Sequence, residues 1–130
     1  MPPKFDERKQ DERLHELHAR EEEELAQMLA GKYNVEYVDL TNKSIDTDAL
    51  RLVSEAEARS AEIAPFHKQN KVVFIAMRSP ERADSLQLIE KLEHLGYQSR
   101  RFITSKTSLE RTWERYKDIS YATETEAGVL

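Results

Sequence analysis

The stretch that most constrains the fold is Val72–Met77, VVFIAM, six apolar residues in succession. A half-buried strand alternates between core and water, whereas an unbroken apolar run of this length is how a strand reads when both faces are covered. The run therefore sets the centre of a sheet. Just upstream, Glu62 to His67 contains Pro65, which lacks the N–H that a central ladder needs, so this second strand belongs at an edge or a bulge. His67-Lys68-Gln69-Asn70 supplies a polar turn between the two. The hairpin reads as scaffold, with nothing catalytic in it.

Other elements follow from start and stop signals. From Phe5 to Ala30 helix formers dominate, with apolar residues at Leu14, Leu17, Leu25, Met28 and Leu29. Glu21 to Glu24 interrupt the stripe, which suggests a solvated first piece and a second piece from Glu21 that packs through Leu25, Met28 and Leu29 and stops at Gly31. Tyr33 to Leu40 is a short extended segment at most. Asp46 can cap a helix that starts at Thr47 and packs through Leu50 and Val53, and Ser54-Glu55-Ala56-Glu57 is a capping box for another, reaching Ala61. Ser79-Pro80-Glu81 is a further start signal, for a helix with Leu86, Ile89, Leu92 and Leu95 inward and its end at Gly96. A third strand is expected over Gln98 to Thr104. Thr107-Ser108-Leu109-Glu110 then reads as a capping box opening a last helix with Leu109, Trp113 and Tyr116 inward.

The expected fold class is α+β, a small three-stranded mixed sheet (β-β-α-β) flanked by helices, with an N-terminal helical leader. VVFIAM takes the centre, the Pro65 strand one edge and the third strand the other. A right-handed helical crossover makes strands two and three parallel. The domain reading is a charged leader over 1–20, the domain proper over 21–121 and a linker or tail over 122–130.

Composition narrows the function classes. Charged residues make up 35% of the 130, against roughly 25% in typical soluble domains, and mean hydropathy is −0.77. The chain has no cysteine, which rules out a disulfide framework and a thiolate metal site and fits a reducing compartment. No apolar run approaches the length of a membrane span, and Met1-Pro2-Pro3-Lys4 opens onto charges, so a cytoplasmic protein without direct membrane insertion is expected. Residues 1–24 hold five Lys/Arg against nine Asp/Glu within a net charge of −5. An acidic leader therefore precedes a nearly neutral body, which disfavours nucleic-acid binding through a basic footprint.

Catalytic chemistry is hard to assemble from what remains. The three glycines, Gly31, Gly96 and Gly128, cannot build a phosphate-cradling loop or a dinucleotide fingerprint. No cofactor is expected. His15 and His18 could share a metal on one helix face, but no third ligand is fixed beside them, so a solvated helix is the stronger reading and no metal is assigned. His67 reads as a turn residue and His94 as helix surface. Acid pairs such as Asp46/Asp48 and Glu90/Glu93 arise readily in so charged a chain. Arg78, Arg82, Arg100 and Arg101 stand out more. Arg78 leaves the central strand at its carboxyl end, where ligands bind in open α/β sheets, next to a helix start. These four are candidate anion-binding residues, weighed against an ordinary set of surface ion pairs.

Several motifs in order carry a resemblance. They are YVDL at 37–40, Asp46 with Ala49-Leu50, Ser54-Glu55 followed by Ala58-Arg59, IAPF around Pro65, FIAMRSP at 74–80, Leu95-Gly96-Tyr97, and RYKDI at 115–119. Together they resemble the N-terminal domain of the type II secretion and type IV pilus assembly ATPases (GspE/PilB-like) over residues 21–120. The resemblance implies that ATP hydrolysis belongs to a separate C-terminal domain, with AGVL at 127–130 starting the linker to it. It implies a bacterial, cytoplasmic protein, peripheral to the inner membrane through an inner-membrane platform protein. Some members bind cyclic di-GMP through an N-terminal helical repeat containing Arg-Leu-Gly; here ERLHELHAREEEELAQ has Arg13-Leu14 followed by His15.

Two readings stay open. In the first, the chain is a non-catalytic adaptor whose leader docks a partner through Leu14 and Leu17, an amphipathic helix gaining binding energy by burying such residues in a groove. At about 25 cal/mol per Å² two leucines supply only a few kcal/mol, so the contact needs further surface. The second is a regulatory domain for cyclic di-GMP or another anion near Arg78 and Arg82. An enzyme comes third.

Overall fold

The computed structural model describes residues 3–119, with side chains from Glu12 onward. The elements run α1 (Pro3–Tyr33), β1 (Glu36–Tyr37), α2 (Thr47–Leu50), α3 (Glu55–Ala61), β2 (Ile63–Gln69), β3 (Val72–Met77), α4 (Ala83–His94), β4 (Gln98–Ile103) and α5 (Lys106–Glu114). The tail read over 122–130 lies outside the described residues.

The sheet has four strands in the order β1-β4-β3-β2, which corrects the expected three. β3 and β4 are parallel, from Val72↔Gln98 to Met77↔Ile103, as expected for a helical crossover. The added strand, β1, pairs parallel with β4 through Glu36↔Phe102 and Tyr37↔Ile103, so β4 is interior rather than an edge. Two residues show no periodicity in sequence; β1 exists because β4 offers a row of backbone groups, and the Val38 amide extends the pairing to the Ile103 carbonyl at 2.9 Å.

β2 is an antiparallel edge strand whose register shifts between Pro65 and His67. Edge and bulge are both realised around the proline. Asp46 caps α2 by accepting from the Asp48 amide, and its second carboxylate oxygen accepts from the Lys68 amide at 3.1 Å. Its own amide reaches the Phe66 carbonyl at 2.9 Å, so one residue starts a helix and seals a strand edge. Ser54 and Glu57 form the reciprocal capping box at the head of α3.

Three helices differ from expectation. First, α1 runs unbroken through Glu21–Glu24 and through Gly31. Glutamate is a good helix former, and two of the four have work on the body: Glu22 accepts from the Thr107 hydroxyl at 2.8 Å and Glu23 from the Tyr37 phenol. The helix stops at Asn34, left-handed at φ 56°, with the Val35 amide returning to the Ala30 carbonyl at 2.9 Å. It packs through the small Ala26 and Ala30, with Leu29 partly buried, while Leu25 and Met28 face water.

Second, α4 starts at Ala83 after a turn at Pro80-Glu81, with Arg82 as an N-cap that makes no side-chain cap bond. Its buried side is Ser85, Leu88, Ile89 and Leu92; Leu86 and Leu95 are exposed. The expected spacing of three drifts off a 3.6-residue period, and the true stripe includes a serine whose hydroxyl is satisfied by the Ala61 carbonyl at 2.6 Å. Gly96, at φ 97°, follows the end as expected.

Third, α5 is capped by Ser105, which accepts from the Ser108 amide, rather than by Thr107. Leu109, Trp113 and Tyr116 do face inward. The Trp113 indole donates to the Ile63 carbonyl at 2.9 Å, and the Tyr116 hydroxyl lies 3.1 Å and 3.2 Å from the Leu50 and Val53 carbonyls. Both rings thereby tie α5 to residues fifty or more positions earlier while burying their apolar surface.

Candidate functional site

Leu14 and Leu17 each keep 50% of their surface exposed on the first half of α1, where every described side chain from Glu12 to Glu21 is exposed. Leu25 and Met28 extend the exposed apolar positions along the same helix. α1 meets β1, β4 and α5 farther along, where Ala26 and Ala30 are buried. Sequence reasoning found the first two residues of this face but assigned Leu25 and Met28 to the core. The signal was available: alanines at 26 and 30, one turn apart, permit the close approach that leucines would prevent.

The four arginines fall into two groups. Arg78 follows the carboxyl end of β3, its amide donating to the Glu62 carbonyl at 3.1 Å, and its Nη1 is buried with no hydrogen-bond partner among the described residues. Arg82 binds the Glu62 carboxylate, the Ser60 carbonyl at 2.7 Å and, at 3.6 Å, Asp84. Arg100 and Arg101 lie earlier along the sheet, opposite Phe74 and Ile75. Arg100 pairs with Glu36 at 2.9 Å and stands over the Phe74 and Phe102 rings. Consecutive strand residues point to opposite faces, so Arg101 cannot join that stack. Both arginines nonetheless line one shallow cleft of about 510 Å³, with Asn34, Glu36, Glu93 and Ser99.

Of the histidines, His15, His18 and His94 are exposed, and exposed His67 meets the Phe74 ring edge-on at 5.0 Å. Among the described residues no group of three His, Asp or Glu side chains could hold a metal. Nor is any described helix long and apolar enough to cross a membrane.

Perturbed titrations have structural causes. Burial pushes the Asp39 carboxyl up, but donors from the Thr41 hydroxyl and amide, the Ser108 hydroxyl and the nearby Arg111 charge outweigh it, leaving the group below its ordinary value. Burial, followed by the Glu23 carboxylate, raises the Tyr37 phenol, and burial raises the Tyr116 phenol. The Ser54 amide and hydroxyl, then Lys91, lower Glu57. Each of these groups serves a cap or a tie between elements.

A parallel β1-β4-β3 core with an antiparallel β2 edge, under a long N-terminal helix, defines a small α+β domain. The MshEN domain profile matches residues 33–125. Among solved structures, the chain is similar to MshE determined with cyclic di-GMP, at 25% identity and a TM-score of 0.63, covering 71% of this chain and 66% of that one. It is also similar in fold to the N-terminal domain of XpsE, at 11% identity and a TM-score of 0.59, covering 72% and 65%. A search of curated proteins found no match. The chain belongs to the MshEN domain family, the N-terminal domain of secretion ATPases of the MshE and XpsE type. It spans about two thirds of the length of the solved chains it matches.

Proposed function

We propose that this chain is a non-catalytic N-terminal adaptor of a secretion or pilus assembly ATPase, coupling the motor domain to an inner-membrane platform protein by protein–protein contacts on the cytoplasmic side. The observation that carries this reading is the division of α1: its far half is held to the body, while its first half offers Leu14 and Leu17 to solvent with no role in the core. Apolar side chains on an otherwise charged helix are what a partner's groove would bury. The test is capture of a platform protein by the wild-type chain and by a chain lacking residues 1–20. Capture should be lost on deletion with the melting transition nearly unchanged; loss of folding would count against the division of leader from body.

A second reading has its own support. A relative has been solved with cyclic di-GMP, and the buried Arg78 Nη1 lacks an acceptor among the described residues, as a guanidinium awaiting an anion would. His15 after Arg13-Leu14, where the repeat of nucleotide-binding members has glycine, weighs against it. Calorimetry with cyclic di-GMP decides: saturable heat, abolished by Arg78→Ala, would place this reading first.

A further inference from the structure

The face of α1 turned away from the body is symmetric about Glu21. Leu14 and Leu17 lie seven and four residues before it, Leu25 and Met28 four and seven after it. At about 100° per residue these four side chains all lie within about 40° of the Glu21 direction, on a strip about 21 Å long. All four are exposed, Met28 by 71%. Ala26 and Ala30, the buried residues, lie about 140° and about 180° around from Glu21. A palindrome of apolar positions is what an isologous interface needs, since there residue i of one copy meets residue j of the other, and j meets i.

We propose that a second copy of this chain covers the face, the two α1 helices lying antiparallel with the two-fold axis at Glu21. That operation sets Leu14 beside Leu25 of the second copy on one side of the seam and Leu17 beside Met28 on the other. It also sets Arg20 beside Glu24 of the second copy, and Glu24 beside Arg20 of that copy. The charges flanking the seam are thus complementary to themselves under this rotation. A parallel pair would lay Glu21–Glu24 against the same four carboxylates and is disfavoured by like-charge repulsion. Glu21 meets its own copy at the axis and weakens the pair, which keeps it reversible. The proposal rests on reading the leader as a docking element and adds the occupant it has when no platform protein is bound. One face cannot hold both, so platform binding separates the pair.

Sedimentation equilibrium of the full 130-residue chain over a wide concentration series tests it. The weight-average mass should rise from 15.2 kDa toward twice that value, and Glu21→Leu should shift the rise to lower concentration. Leu25→Glu and Met28→Glu should each hold the mass at the monomer value with the circular dichroism melt unchanged, because both residues are exposed. Arg20→Glu and Glu24→Arg should each abolish association alone, and restore it when the two proteins are mixed or the changes combined in one chain. A wild-type chain that stays at the monomer mass, association that survives Leu25→Glu, or a charge swap without rescue would each overturn the proposal. If the chain stays monomeric yet captures a platform protein through Leu14 and Leu17, only the pairing fails; a chain that dimerises, and whose dilute monomer captures none, leaves the pairing standing and sinks the adaptor reading.

Discussion

Leu14 and Leu17 on α1 leave half their surface in water, while Leu109 and Trp113 on α5, and Tyr116 just past its end, leave almost none. Both helices place apolar residues at helical spacing along a charged sequence, and spacing alone does not tell them apart. The difference lies in what surrounds the apolar positions. On α5 the capping Ser105 and Thr112 are satisfied within the helix by the Ser108 amide and carbonyl, and the polar tips of the Trp113 and Tyr116 rings find partners on the body. In the first half of α1 the flanking residues are Glu, Arg and His with exposed side chains. A stripe is core when its polar neighbours are also satisfied inside, and an exposed face when they are solvated.

Trp113→Ala breaks the comparison from the core side and should have the largest effect. It opens a cavity and leaves the Ile63 carbonyl without its donor, at a cost of about 3–5 kcal/mol. Chemical denaturation would show the midpoint falling, and a loss below about 1 kcal/mol would mean that α5 is not anchored through this ring. Asp46→Ala removes a helix cap and the acceptor of the Lys68 amide, and should cost about 1–2 kcal/mol in the same assay.

Asp39→Asn acts through pH. The folded pKa of Asp39 lies below its ordinary value, so its contribution is fully present above the unfolded pKa of about 3.9 and is lost as pH falls through the folded value. The variant should therefore be less stable at neutral pH and show a shallower loss of stability on acidification; parallel acid limbs for the two proteins would refute the assignment. At the far end of the scale, Leu14→Ala with Leu17→Ala should change stability by no more than about 0.5 kcal/mol. A larger drop would mean that the leader belongs to the core after all.

Sequence carried those parts of the fold whose causes are local. VVFIAM is interior, Pro65 sits at a bulged edge, Asp46 and Ser54 cap their helices, and Gly96 closes α4, because each effect acts within a few residues. Whatever depends on distant partners was not legible. β1 is held by β4 some sixty-six residues later. Thr104, Ser85 and Ser108 are buried because their hydroxyls reach the Val38 carbonyl, the Ala61 carbonyl and Asp39, and a serine in a helix reads as surface until its acceptor is known. Of the candidate site, Leu14 and Leu17 were identifiable as apolar residues isolated among charges. Leu25 and Met28 were misplaced, because leucine and methionine outrank alanine on any hydrophobic scale, whereas packing on the sheet selected the smaller side chains.

The outer border of β2 has an effect on how this molecule can meet others. Pro65 has no N–H to offer, the Ile63 carbonyl is taken by the Trp113 indole, and Asp46 occupies both the Phe66 carbonyl and the Lys68 amide. At the opposite border β1 is two residues long. Among the described residues neither rim leaves a long run of vacant main-chain groups on which a foreign strand could zip, so the sheet resists growth in both directions. Strand addition is thereby disfavoured as a way for this domain to meet another chain.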